Sequence, residues 1–333
     1  MSRPRSALYS VAAVLGAGAV AAVAAWGIVP HGMGILTSSN EPIAADGQER
    51  VQLRWDEAVN FLAQHECGND ALPVEPACVG GAPLREGQTP AYRRLDGSGT
   101  QATDALVARR AGGDVVIQTF DFGDSPRAFG RFDEGKGDGA DAVRLDAGGI
   151  SIYATEDGGA GLQFWAGAPC PAVAGWLLWD APLRRDWTAR TVRIGLARSL
   201  GECPVLGASW TRWRLVDATV PWNASDGRAG TWTGPAVLTD HFGTGSPDTA
   251  DHVERFLNAR GLGKVLWERW EHRTRSMVPP ARRAELRRVA AVDGRCAPPV
   301  GGLEPLGSEW ERTDCRLWTR FALGAGPAMP WRP

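Results

Sequence analysis

The chain has 333 residues, with 36 lysines and arginines against 38 aspartates and glutamates for a net charge of -2. That balance supplies no basic field, so nucleic acid is not expected as a partner. Lysine occurs only at Lys136 and Lys264. This is a bias of G+C-rich coding sequence that also raises tryptophan, and the richness in Trp is discounted accordingly.

Residues 8–29 read LYSVAAVLGAGAVAAVAAWGIV, uncharged throughout, behind Arg3 and Arg5. As a helix this run spans about 33 Å, against a hydrocarbon core of about 30 Å. The two arginines are held on the cytoplasmic side, so everything after Pro30 is expected outside. Ala22, Val23 and Ala24 form an A-x-A site, so the segment is either a signal anchor, which its length favours, or a cleaved signal peptide. The chain divides into a signal anchor or signal peptide (1–30), a small polar tether (31–47) and an extracytoplasmic β-rich domain (48–333). It is expected to be membrane-anchored through the N-terminal helix, or secreted if that helix is removed.

Six cysteines, Cys67, Cys78, Cys170, Cys203, Cys296 and Cys315, fit an exported chain. None falls in a C-x-x-C, so disulfides are the better assignment than metal ligands. Six cysteines allow 15 pairings, of which nearest-neighbour closure is the least demanding in loop entropy.

In the soluble part, Val51, Trp55, Ala58, Val59 and Leu62 recur at helical spacing, with Asp46 as N-cap and Gly68 beyond the end. They predict one amphipathic helix over 48–65, packed on the outside of the domain. Period-two alternation then takes over. It predicts strands at 115–120, 149–155, 161–165, 191–196 and 210–216, the second and third forming a hairpin. A further hairpin, 252–258 with 264–270, is joined by Arg260, Gly261, Leu262 and Gly263, whose glycines supply positive φ. Residues 281–289 (ARRAELRRV) predict a short solvated surface helix. The fold expected is mainly β, an antiparallel β-sandwich-like domain with one N-terminal amphipathic helix, preceded by a single transmembrane or signal helix.

No catalytic signature accompanies this fold. There is no G-x-S-x-G around any serine, no H-E-x-x-H or H-x-H among the five histidines, and no phosphate loop. His241 and His252 with Asp240 and Asp251 read better as ordinary polar packing than as a metal site. The acidic stretch 121–141 departs from calcium-loop spacing at Asp133, Asp138 and Asp141. No metal and no cofactor is expected.

Tryptophans carry the main lean toward function. Thirteen of the 15 lie between Trp165 and Trp331, several in pairs. Indole faces stack on sugars while adjacent polar groups take the hydroxyls. The same rings also suit strands and sandwich cores. Trp210, Trp213, Trp267 and Trp270, with Arg255 and Glu268, are the candidate binding residues. The function expected is an exported, envelope-associated, non-enzymatic module contacting glycan or another exported protein. The alternative is a secreted carbohydrate hydrolase using Glu254 and Glu268, if that pair is brought within about 5.5 to 9.5 Å.

Overall fold

The computed structural model describes residues 58–65, 72–75, 92–95, 102–110, 113–120, 140–146, 149–157, 161–167, 175–199, 202–292, 294, 296 and 299–323. The apolar segment 8–29, the tether, the acidic stretch 121–141 except Ala140 and Asp141, and Cys67, Cys78 and Cys170 lie outside them. Among the described residues no helix is long and apolar enough to cross a membrane.

The fold is mainly β, as the alternating patterns predict. Its strands are β1 (Tyr92–Leu95), β2 (Ala102–Arg110), β3 (Gly113–Phe120), β4 (Ala140–Asp146), β5 (Gly149–Asp157), β6 (Gly161–Gly167) and β7 (Trp176–Trp179). They continue with β8 (Thr188–Ala197), β9 (Gly207–Ala224), β10 (Ala229–Phe242), β11 (His252–Ala259), β12 (Gly263–His272), β13 (Trp310–Leu317) and β14 (Arg320–Leu323). The two predicted hairpins are present as β5–β6 and β11–β12. In the latter, Gly261 and Gly263 take φ of 76° and 70°, a region open to glycine and strained for other residues.

The strands belong to one sheet, organised on β9. Along one edge β9 carries β10, from Trp210 opposite Phe242 to Asn223 opposite Ala229. Its other edge is divided: residues 207–213 pair with β8, while Asn223 and Ala224 meet β14 in parallel. Because β8 pairs with β6 and β14 with β1, the run from β14 through β1–β6 to β8 closes on β9. Strands β10–β13 extend the sheet on the far side.

The same strand changes its buried face midway. Ser209, Thr211 and Trp213 are buried, and then the parity shifts to Val216, Ala218 and Val220. Trp213 packs with Leu177, Trp179, Ile150 and Val237 in one core, while Val216, Ala218 and Val220 pack with Leu238, Leu257 and Leu266 in another. Neighbouring Val237 and Leu238 of β10 are both 0% exposed and enter different cores. A strand buried on both faces needs apolar residues without alternation, and the run Ala236, Val237, Leu238 supplies them.

One expectation is corrected and a second is refined. Only residues 58–62 of the predicted N-terminal helix are helical among the described residues, and the chain leaves the helix before His65, where Gln64 bridges Leu262. This turn is not packed outside. Ala58, Val59, Phe61, Leu62 and Ala63 are all buried in the first core, because it is apolar on more than one face. The helix predicted at 281–289 runs over Pro280–Val292 and docks on β13. Its Arg283 is buried, donating from Nε to Glu311 Oε2 at 3.0 Å and from Nη1 to the Val278 carbonyl at 2.7 Å. A basic helix is docked here by an ion pair that composition alone does not reveal.

Cys296 and Cys315 form a disulfide, with Cα atoms 5.6 Å apart, pinning the chain after this helix to β13. Cys203 is disulfide-bonded as well.

Candidate functional site

Register places three charged residues side by side on one face. Asp240 of β10 stands opposite Arg212 of β9 and Arg255 of β11, and directly opposed residues of an antiparallel pair share a face. Asp240 is fully buried and accepts from Arg212 Nε at 2.8 Å and Arg255 Nε at 2.6 Å. Burial pushes this carboxyl up, and the two guanidiniums overcome it and hold it below the usual carboxylate range. One carboxylate thus answers two arginines.

Two residues on, the same face turns aromatic. Trp210 meets Phe242 edge-on at 4.9 Å, Phe242 meets Trp310 at 5.8 Å, and Trp310 meets His272 at 5.1 Å. Ala250, Val253 and Leu306 complete this cluster, with Trp270 packed against it.

A cleft of about 350 Å³ opens beside it, lined by Arg212, Phe242, His272, Arg275, Leu306 and Trp310 and bordered by Pro247, Asp248, Gly307 and Glu309. Its aromatic rings are largely covered by arginines. The Arg212 guanidinium lies 5.5 Å from the Phe242 centroid and 4.2 Å from that of Trp187, and Arg275 lies 6.0 Å from Trp310. Arg275 is fixed by donating from Nε to the Ala250 carbonyl at 2.9 Å and from Nη2 to the Pro247 carbonyl at 3.2 Å. Neither Arg212 Nη1 nor Arg275 Nη1 has a hydrogen-bond partner among the described residues.

His272 contributes a third donor. Its Nδ1 accepts from the amides of Thr274 at 3.2 Å and Arg275 at 3.1 Å, so the neutral ring carries its proton on Nε2. Burial, and then the charge of Arg275, keep its pKa below the ordinary histidine value. At the rim the Asp248 and Glu309 side chains are exposed, with no hydrogen-bond donor among the described residues. The Glu309 carboxylate folds over Gly307, where any Cβ would collide with it.

The predicted site residues divide between the two faces of the sheet. Trp210, Arg255, Glu268 and Trp270 share the face of Asp240 and stand behind the cleft without lining it. Trp213 and Trp267 lie on the opposite face. All but Trp210 spend the indole N–H internally: Trp213 on the Asp180 carbonyl at 3.0 Å, Trp267 on Glu254 at 3.0 Å and Trp270 on Glu268 at 2.9 Å.

Glu254 and Glu268 are not brought together. Glu254 pairs in register with Arg269 and Glu268 with Arg255, which puts the two carboxylates on opposite faces. Arg269 donates to Glu254 at 2.9 Å and Arg312 to Glu268 at 2.7 Å. His241 and His252 do not converge either. His241 is buried with its ring nitrogens 3.2 Å from Thr211 Oγ1 and 2.8 Å from Thr239 Oγ1, whereas His252 pairs with Asp251 at 2.7 Å. Among the described residues no group of three or more His, Cys, Asp or Glu could hold a metal ion.

The sequence reading missed Arg212, His272, Arg275 and Trp310. One signal was present: Trp210, Arg212 and Arg214 sit at strand spacing, so an aromatic and two guanidiniums share a face. The loop contributions of Pro247, Asp248, Leu306 and Glu309 depend on tertiary closure and leave no local pattern. Comparisons with protein families, with curated proteins and with solved structures find no match to this chain.

Proposed function

We propose that this chain is an exported, envelope-associated, non-enzymatic module that holds a glycan in the cleft beside Arg212 and Arg275. In this proposal the domain is sandwich-like and tethered outside the membrane by residues 1–30, with Cys67–Cys78 and Cys170–Cys203 as further local disulfides. The carrying observation is the cleft itself, where fixed donors (Arg212, Arg275, His272) face unengaged rim acceptors (Asp248, Glu309). Hydroxyl-rich ligands satisfy both kinds of group, since each hydroxyl donates and accepts. The volume of about 350 Å³ falls at the lower end of small-ligand sites and suits one or two sugar rings.

The test is titration of the purified full chain with a panel of envelope-type oligosaccharides, followed by calorimetry and by tryptophan fluorescence. Saturable binding that Trp310→Ala weakens at least about ten-fold supports the proposal. No heat and no fluorescence change with any saccharide up to millimolar concentration overturns it.

A further inference from the structure

The geometry points to an oxyanion-bearing saccharide, one carrying a carboxylate or a sulfate, as the class of ligand taken between Arg212 and Arg275. This inference rests on the cleft being a saccharide site.

Its basis is the difference in how the two signs of charge are held. Arg212 is locked by Asp240 through Nε and Nη2, at 2.8 and 2.7 Å, and by stacking on Trp187. Arg275 is locked by two backbone carbonyls. Each guanidinium therefore holds Nη1 in place before any ligand arrives, so an incoming oxyanion orders no side chain. Asp248 and Glu309 are exposed at the rim without donors among the described residues, so they are held less firmly than the two guanidiniums. The aromatic rings lie beneath the guanidiniums, so a ligand entering the cleft meets charged donors before ring faces.

Charge is available for the task. Asp240 is shared by Arg212 and Arg255, so one carboxylate answers two guanidiniums, and Glu268 and Glu304 also act on the Arg255 charge. Arg275 adds a further positive charge, with no carboxylate among the described residues within ion-pair distance of it. Guanidinium–oxyanion hydrogen bonds are about twice as strong as neutral ones, so a carboxylate or sulfate is favoured over the hydroxyl it replaces.

The experiment titrates the full chain with a galacturonate trisaccharide, a galactose trisaccharide, galactose 6-sulfate, galactose and sodium sulfate, at two ionic strengths. The expected result is that each charged sugar binds about ten-fold more tightly than its neutral counterpart at low salt, with the advantage shrinking as salt rises. Comparison of the two acidic sugars identifies which oxyanion is preferred. Arg275→Gln removes the advantage of the charged sugars over their neutral counterparts, while Arg185→Gln, on the exposed Asp217 pair that does not line the cleft, leaves it intact. Arg275→Gln is the decisive variant because Arg212→Gln also unbalances buried Asp240. Equal affinity for acidic and neutral sugars overturns the inference and leaves the glycan cleft standing. Binding of no sugar overturns the cleft itself. Sodium sulfate binding as tightly as galactose 6-sulfate shows a bare anion site and overturns the inference.

Discussion

Asp240 accepts from Arg255 Nε at 2.6 Å on one oxygen and from Arg212 Nε at 2.8 Å on the other, joining three neighbouring strands at a point fully removed from solvent. Removing one partner of a buried ionic cluster leaves an uncompensated charge, which costs about 3 to 5 kcal/mol. Asp240→Asn keeps the shape and deletes the charge, stranding Arg255, only 3% exposed in its side chain. The expected outcome is a loss of that size in urea unfolding, with a raised midpoint only in the double variant Asp240→Asn, Arg255→Met. A loss under about 1 kcal/mol would show that the triad carries no such burden.

His241 gives the fold a pH dependence whose sign follows from its surroundings. Burial lowers its pKa to about 3, so it is neutral in the folded chain, while the unfolded chain titrates near 6.5. Between about pH 6.5 and 3 the unfolded state binds more protons, so stability falls as pH falls through that window and levels off below it. The buried His65, also shifted downward by burial and by Arg260, acts in the same direction. At most the His241 contribution is on the order of 4 to 5 kcal/mol. His241→Gln is expected to flatten the profile between pH 6.5 and 4. Parallel stability curves for parent and variant would exclude His241 as the titrating group.

The extent to which the sequence disclosed this molecule follows the range of the interactions involved. The hairpin β11–β12 was legible because Gly261 and Gly263 answer a local need for positive φ between two alternating runs. The strands at 191–196 and 210–216 were legible for the same reason of period two. The change of buried face within β9 was not, since it arises from β8 and β14 sharing one edge of that strand, a consequence of pairing more than 90 residues away in the chain for β14. Half of the candidate site suffers the same blindness. Trp210, Trp270, Arg255 and Glu268 were identified as an aromatic and charged group, and four of the six candidates do share a face. The cleft donors Arg275 and His272 lie where β12 ends and a turn begins, with no periodic signal to single them out.

Glycine positions separate backbone strain from crowding. Gly227 has φ of 88° and open space where a Cβ would sit, whereas a Cβ on Gly263, at φ 70°, would lie 2.7 Å from the Leu62 carbonyl. A side chain in this region of φ costs about 1 to 2 kcal/mol. Gly227→Ala is expected to lose about that much. Gly263→Ala is expected to lose more, by about 1 to 3 kcal/mol for the overpacking, because the colliding atom is backbone from the buried turn 58–62. Thermal or denaturant midpoints ranking the two variants equally would place the buried turn elsewhere.

Opposite-face placement of Glu254 and Glu268 is testable through energetic independence. Glu254 is held by Arg269 and Trp267, Glu268 by Arg312 and Trp270, and the two sets share no partner. Residues without shared partners contribute additively within about 0.5 kcal/mol, while carboxylates in one site couple by up to about 3 kcal/mol. In a double-mutant cycle, Glu254→Gln and Glu268→Gln are each expected to destabilise by roughly 1 to 3 kcal/mol, as for hydrogen bonds to charged groups, with a coupling near zero. The Glu268 loss should be the larger, since its side chain is 7% exposed against 21% for Glu254. A coupling above about 1 kcal/mol would bring the carboxylates to the same side of the sheet and revive a paired-acid chemistry that the observed register separates.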